Sequence, residues 1–137
     1  MPKIFWVIIL KKQKNALIIF SIGAFGYGLI EIIWRGRTHW SMLLAGGLAF
    51  SGLDFISEKM KNCSLFLKSL AGCGLITSVE YFFGIIFNIV FKKQVWDYSK
   101  MPLNLNGQVC ALYSFFWLVL SFIFIPITEK INKNLEK

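Results

Sequence analysis

Long apolar runs separated by short polar stretches dominate the chain. A helix needs about 20 mostly apolar residues to cross the hydrocarbon core of a bilayer, within a range of roughly 17 to 25. Four runs come close to that length, and each predicts one transmembrane helix. They cover about residues 16–34, 40–56, 66–91 and 109–127. The third run is longer than a bilayer requires, so we expect this helix to tilt or to extend beyond the lipid.

The residues before the first run form a short segment of different character. An apolar stretch from Ile4 to Leu10 is accompanied by four lysines within residues 1–15. The stretch is too short to span a membrane, and lysines beside apolar residues are typical of a helix that lies at the membrane surface. We therefore predict an interfacial segment at 1–15, within a single integral membrane domain over residues 1–137.

The composition supports insertion into a membrane. Hydrophobic residues make up 56% of the chain and charged residues only 16%, whereas soluble domains contain about 25% charged residues. The net charge of +8 does not indicate nucleic-acid binding, because the lysines cluster beside the apolar runs. Basic residues in such positions set the orientation and contact anionic lipid. The predicted fold is therefore all-α, a polytopic bundle of four transmembrane helices whose partners are membrane lipids.

The distribution of lysine and arginine predicts the orientation of the bundle. Ten of these residues flank the side with both termini, and five lie in the two loops on the other side. Since basic residues are enriched in cytoplasmic loops, both termini are predicted to be cytoplasmic. The loops at 35–39 and 96–108 then share the opposite face. Trp34, Trp40 and Trp96 fit an aromatic belt at that interface.

Two acidic residues in apolar surroundings are candidates for a site. Glu31 precedes Arg35 by four residues, so both lie on one helix face and can form an ion pair. Glu80 has apolar neighbours on both sides and shares a helix face with Asn88. Ionisable residues inside transmembrane helices are functional candidates by default. We expect Glu80 to point into the bundle, towards Arg35 or Arg37 or into a water-filled cavity; the alternative is a buried salt bridge that only fixes helix register.

The two loops on the predicted outer face supply the remaining candidates. Because these loops are expected to face each other, Asp97 has the cationic side chains of the first loop within reach. The alternative is an ordinary turn in which Asn106 caps the fourth helix. The complete set of predicted substrate-binding residues is Glu31, Arg35, Arg37, His39, Glu80, Asn88, Asp97, Tyr98, Asn104 and Asn106.

Motifs of nucleotide hydrolysis, hydrolytic catalysis and metal binding are missing from the sequence. Without G-x-x-x-x-G-K-[ST] the chain does not hydrolyse ATP by a phosphate loop, and neither G-x-S-x-G nor H-E-x-x-H occurs. His39 is the single histidine, and a hydrogen-bonding role at the interface is expected for it. The three cysteines lack metal-ligand spacing. We therefore predict no catalytic residue, no metal ion and no cofactor.

Three strings carry a resemblance to a known family. They are "EIIWRGRTHWSMLLAGG", "VEYFFGIIFNIV" and "VWDYSKMPLNLNGQVCALYSFFW". Over about residues 20–120 the chain resembles the small bacterial membrane proteins of the CmpB type, labelled type IV ABC-transporter permeases. The resemblance implies a multi-pass protein of the bacterial cytoplasmic membrane. The positions that match its motifs are Glu31, Arg35, Gly36, Arg37, Glu80, Asn88, Asp97, Tyr98, Pro102, Asn104 and Gly107.

The predicted function is binding or translocation of a small polar solute, anionic or zwitterionic, through a charged vestibule formed by the loops at 35–39 and 96–108. Guanidinium groups suit the phosphate or carboxylate of such a solute. Four helices are few for a complete pathway, so a homodimer or a separate ATPase subunit is expected as partner. Two alternatives stay open: a membrane-embedded enzyme or lipid-headgroup-binding protein that uses the same cluster, and an accessory protein whose buried charges only specify packing.

Overall fold

Four long helices that alternate in direction make up the bundle in a computed structural model, which describes residues 2–135. They are α1 (Pro2–Arg35), α2 (Trp40–Lys59), α3 (Leu65–Phe83) and α4 (Ala111–Leu135), and a π-helical segment over Gly84–Val90 continues α3. Within the described residues, four helices are long and apolar enough to cross a membrane, with mean hydropathies between 1.3 and 2.1. The predicted all-α, four-helix membrane fold is confirmed.

Two connectors link the helices at one end of the bundle. The first connector is residues 36–39 and the second connector is residues 91–110. The second contains a small antiparallel hairpin, β1 (Asn104–Leu105) paired with β2 (Val109–Cys110). The apolar pattern did not predict these two-residue strands. At this hairpin the structure differs from the predicted all-helical chain.

The first helix is longer than the apolar run that predicted it. It continues unbroken from Pro2 to Arg35, through the segment predicted to be interfacial. The polar residues at 11–15 include three lysines and contain no glycine or proline, so nothing in them interrupts a helix. The position of residues 2–15 at the membrane surface remains a prediction. The fourth helix likewise continues past Pro126 to Leu135, beyond the predicted end at 127.

Small residues allow α1 and α2 to approach closely. A side chain at Gly46 would bring its Cβ within 2.5 Å of the Tyr27 Cβ and within 2.9 Å of the Gly23 carbonyl oxygen. Transmembrane helices associate through such small-residue surfaces, because van der Waals packing has to replace the missing hydrophobic drive. The close packing of these two helices holds the end of α1 next to the start of α2. Together these two helix ends carry half of the candidate site.

The second connector folds onto the end of the bundle. Val95 and Trp96 are buried and pack against Met42 of α2, and the Trp96 indole N–H donates to the Gln108 carbonyl at 2.9 Å. Trp96 is only 6% exposed, so its predicted place in an aromatic belt is wrong. Trp34 and Trp40 are exposed, as a belt requires.

A polar cluster fastens the opposite end of the bundle. Glu129 of α4 accepts hydrogen bonds from the Ser57 hydroxyl at 2.7 Å and from the buried Lys68 ammonium at 3.0 Å. Asn132 donates to Asp54 in the same region. Three helices are therefore cross-linked by side chains at the end remote from the connectors.

Candidate functional site

A polar pocket of about 160 Å³ lies where the two connectors meet. We call it the connector pocket. Three cationic side chains and one carboxylate contribute to its wall, together with a histidine and several neutral groups. The lining residues are Glu31, Arg35, Arg37, Thr38, His39, Met42, Lys93, Gln94 and Val95. The pocket thus combines an excess of positive charge with hydrogen-bonding groups.

Arg35 ties the end of α1 to the second connector. One of its nitrogens lies 3.2 Å from Glu31 Oε2, and another donates to the Val95 carbonyl. The i,i+4 ion pair predicted from the sequence is therefore present. Glu31 is buried, and a buried carboxylate is tolerated when it is paired. The pair closes one side of the connector pocket.

His39 is the N-cap of α2, the residue directly before Trp40. Its Nδ1 accepts the Ser41 backbone N–H at 3.2 Å and lies 2.7 Å from the Ser41 hydroxyl oxygen. A ring nitrogen that accepts a backbone N–H carries no proton, so the neutral ring is protonated on Nε2. His39 therefore caps the helix, and its place in the pocket wall follows from that capping position.

Lys93 joins the pocket from the second connector. It lies between Lys92 and Gln94, whose φ angles of 54° and 49° are in the left-handed region. Non-glycine residues adopt this region rarely, so the backbone turns sharply here, and the Lys93 N–H donates to the Phe87 carbonyl at 2.8 Å. The pocket was predicted to use residues 96–108 opposite the arginines, but Lys93, Gln94 and Val95 lie there instead.

Asn88 holds the second connector in position. Its side-chain oxygen accepts the Val95 N–H at 2.6 Å, and its side-chain amide donates to Gln108 Oε1 at 2.8 Å. A side chain at Gly84 would approach Gln108 Oε1 within 2.5 Å, so the connector lies directly against the π-helical segment. Asn88 does not line the pocket, and it acts on the pocket through Val95, the acceptor of Arg35.

Glu80 points into the bundle, as predicted, but its partners are not arginines. Oε1 accepts the Tyr98 hydroxyl at 2.9 Å and Oε2 accepts the Trp117 indole N–H at 2.8 Å. Of the two expected surroundings, the arginines or a water-filled cavity, the first is not found: within residues 2–135 Glu80 forms no ion pair with Arg35 or Arg37. Arg35 is already committed to Glu31 and to the second connector, and neutral donors satisfy the Glu80 carboxylate instead.

Tyr98 links Glu80 to the second connector. Its ring stacks on Tyr113 with centroids 4.7 Å apart and planes 10° from parallel. Burial raises the pKa of Tyr98 well above its ordinary value, and the neighbouring Glu80 acts in the same direction. The phenol therefore stays protonated and remains a hydrogen-bond donor to the carboxylate.

Asp97 lies apart from the cations that it was expected to approach. Within residues 2–135 it forms no ion pair, and it is exposed. Its Oδ1 accepts the Ser99 backbone N–H at 2.9 Å. That hydrogen bond lowers the pKa of Asp97 below its ordinary value, and the Ser99 side chain and, to a smaller degree, Lys100 act in the same direction. Asp97 therefore shapes the turn at 97–99.

Asn104 and Asn106 also shape the second connector. Asn104 accepts the Gly107 N–H at 3.0 Å and donates to the Met101 carbonyl at 2.8 Å, which closes the hairpin. Asn106 has a φ of 55° and donates to the Tyr81 hydroxyl at 2.8 Å. It does not cap the fourth helix, which begins at Ala111 after β2. Neither asparagine lines the connector pocket.

The predicted site residues therefore separate into groups. Glu31, Arg35, Arg37 and His39 converge in the connector pocket. Glu80 and Tyr98 bond each other deeper in the bundle, whereas Asn88, Asp97, Asn104 and Asn106 support the second connector. Two residues of these groups were not predicted from the sequence. Lys93 entered the prediction only as a charge that helps to set the orientation. Trp117 carries no motif that distinguishes it from the other aromatic residues of the fourth run.

Four membrane-spanning helices with a cation-lined pocket at one end define a small multi-pass membrane protein. More particularly, the chain belongs to the family described as putative ABC-transporter type IV, whose model matches residues 18–137. The match includes α2, α3, α4 and all of α1 beyond residue 17, and it confirms the resemblance seen in the sequence. No curated protein and no solved structure matches the chain.

Proposed function

We propose that the protein binds a small anionic or zwitterionic solute in the connector pocket and takes part in its translocation across the bacterial cytoplasmic membrane. One observation carries the proposal: three cationic side chains line the pocket, and its one carboxylate is already paired with Arg35. Within residues 2–135, Arg37 and Lys93 form no ion pair. Their charges are therefore available to a ligand.

The chemistry and size of the pocket support this ligand class. A guanidinium group binds carboxylate or phosphate through two parallel hydrogen bonds, and an ammonium group adds a point charge. Thr38 and Gln94 add a hydroxyl and an amide. A volume of about 160 Å³ is that of about five molecules of liquid water at about 30 Å³ each, which suits a phosphate ion or a small amino acid.

Translocation requires more than this chain. Four helices are few for a complete pathway, and the sequence contains no phosphate loop with which to hydrolyse ATP. Membership of an ABC-transporter family supports a separate ATPase subunit as the source of energy, and a second copy of the chain would complete the pathway. In the proposed orientation the termini are cytoplasmic and the connector pocket opens on the outer face.

Binding of a lipid headgroup is a second candidate function. Trp34 and Trp40 flank the first connector and are 72% and 59% exposed. Exposed tryptophans are typical of the headgroup region of a bilayer, so the connector pocket would lie at the depth of lipid phosphates. The same cations would then hold the phosphate of an anionic lipid rather than a soluble ion.

Calorimetric titration of the protein in phosphatidylcholine nanodiscs tests the proposal, with inorganic phosphate, acetate and glycine as probes. At least one probe should bind, and Arg37→Gln and Lys93→Gln should each weaken binding by about tenfold or more. Lys92→Gln is the matched control, since it removes the same charge from the neighbouring position outside the pocket. Loss of affinity in the control equal to that in Lys93→Gln, or no binding of any probe, would contradict the proposal.

The same titration distinguishes the two candidate functions. In nanodiscs that contain phosphatidylglycerol, a headgroup-binding pocket is already occupied, so phosphate affinity falls and the dependence on Arg37 disappears. A solute pocket retains its affinity apart from weak electrostatic repulsion by the surface. Flux of the bound probe in proteoliposomes, with and without a co-expressed ATPase subunit and ATP, then tests translocation separately from binding.

A further inference from the structure

A second cavity, of about 180 Å³, lies between the helices below the connector pocket. Residues from all four helices line it, and Met42 contributes to the walls of both cavities. Apolar and aromatic side chains make up nearly all of its surface. Glu80 is the one charged residue of this wall, so the cavity differs in chemistry from the cation-lined connector pocket.

The Glu80 carboxylate has acceptor capacity to spare. Its oxygens take one hydrogen bond each, from Tyr98 and from Trp117, whereas a carboxylate can accept about four. Both donors are neutral, and among residues 2–135 no cationic side chain lies within ion-pair distance of Glu80. A buried carboxylate normally has a cationic partner. Here the position of that partner, on the cavity side, is open to a ligand.

Aromatic rings surround the same position. Tyr27 and Trp117 both line the cavity, and their rings contact edge to face with centroids 6.1 Å apart. Phe50 and Phe124 form a second edge-to-face pair in the wall, with centroids 6.2 Å apart. A carboxylate together with aromatic faces is the chemistry by which proteins recognise organic ammonium ions.

The cavity faces the lipid rather than the aqueous connectors. Helix α1 packs mainly on α2 and contacts α4 only sparsely. Ile22 and Ile30 of α1 and Ile127 of α4 line the cavity and are also exposed on the outer surface of the bundle. A ligand that enters between these two helices crosses an apolar rim, so it has to be soluble in the membrane.

We propose that this cavity binds a small lipophilic amine in its protonated form, with the ammonium group against Glu80 and the apolar body among the aromatic rings. Charge complementarity selects the cation, and the apolar rim selects its lipophilic body. An apolar cavity of about 150 Å³ accommodates benzene, so a single ring with a short aminomethyl arm fits the observed volume. The proposal does not depend on the solute proposed for the connector pocket.

Benzylammonium is the test ligand, and benzyl alcohol is its neutral counterpart of nearly equal size. Both are measured by equilibrium dialysis against protein in nanodiscs, with empty nanodiscs as the correction for partitioning into lipid. Benzylammonium should bind about tenfold or more tightly than benzyl alcohol, and Glu80→Gln should abolish this preference. Glu58→Gln is the control. It removes an exposed carboxylate near the C-terminal end of α2, so this variant should retain the preference for benzylammonium.

A second variant keeps the proposal testable if Glu80→Gln fails to fold. Ala49→Leu fills the cavity from α2 and leaves Glu80 unchanged, so it should weaken binding of benzylammonium and benzyl alcohol alike. Equal binding of the two ligands by the wild type would overturn the proposal and favour an acyl chain as the occupant. Phosphate binding, measured on the same samples, reports on the connector pocket, so either site can fail alone.

Discussion

The Arg35 guanidinium donates to the Val95 carbonyl, which lies 60 residues further along the chain. The same side chain pairs with Glu31 one turn earlier in α1. The planar guanidinium can make both contacts because its donors diverge from one rigid fork. A single residue therefore joins the end of the first helix to the second connector, and the width of the connector pocket depends on it.

Replacing Arg35 by methionine should destabilise the protein by about 2–4 kcal/mol, since it leaves a buried carboxylate and a carbonyl without their donors. The free energy of unfolding, measured by titration with dodecyl sulfate, checks this. The double variant Glu31→Gln/Arg35→Met should recover part of the loss, because no charge is then left unpaired. Arg37→Met is the control and should stay within about 0.5 kcal/mol of the wild type; equal losses in the two single variants would contradict the prediction.

Removing the Tyr98 hydroxyl tests the bond to Glu80. Tyr98→Phe keeps the stack on Tyr113 but leaves Glu80 Oε1 without a donor, and we expect a loss of about 1–3 kcal/mol. Tyr81→Phe is the matched control. It removes a hydroxyl whose partner, Asn106, is exposed, so water replaces the bond and the loss should be about 0.5 kcal/mol or less. Similar losses in both variants would show that Glu80 does not depend on Tyr98.

Local patterns predicted the helices and one contact of the site. Apolar runs of about 20 residues determine where membrane helices form, because every backbone group in lipid has to be bonded within the segment. The Glu31–Arg35 pair is fixed by the helical repeat alone. Both features depend on neighbours in sequence, which is why both were found without a structure.

Contacts between distant residues could not be predicted in the same way. Lys93 joins the connector pocket because its two neighbours adopt left-handed backbone angles, which neither lysine nor glutamine favours. Trp117 donates to Glu80 from 37 residues away, and only the relative position of α3 and α4 determines that. Trp96 resembles an interfacial tryptophan in the sequence but is buried by the folding of the second connector.

The exposed Asp97 predicts a specific dependence on pH. Its folded pKa is lowered by the Ser99 amide, so its contribution to stability is complete above the unfolded pKa of about 4 and is lost as the pH falls through the folded pKa. Asp97→Asn accepts the same hydrogen bond at every pH. The midpoint of thermal unfolding should therefore fall less steeply in the variant than in the wild type between about pH 5 and about pH 3.

An identical decline in Asp97→Asn and in the wild type would mean that other carboxylates account for all the acid sensitivity. Ser99→Ala removes the hydroxyl, which also lowers the pKa of Asp97, and keeps the backbone N–H, which lowers it most. Its decline with falling pH should therefore lie between that of Asp97→Asn and that of the wild type.

The Lys68–Glu129 pair predicts an order of effects at the other end of the bundle. The Lys68 side chain is 10% exposed and that of Glu129 is 45% exposed. Glu129→Gln leaves a buried ammonium without its counter-ion and should cost about 1–3 kcal/mol, less than the roughly 3–5 kcal/mol for breaking a fully buried pair, because Glu129 is partly solvated. Lys68→Met removes the buried charge and leaves a carboxylate that water can reach and Ser57 still bonds, so its cost should be smaller. Unfolding free energies of the two variants check the order, and a larger loss in Lys68→Met would show that the ion pair itself, rather than the burial of lysine, determines stability at this end.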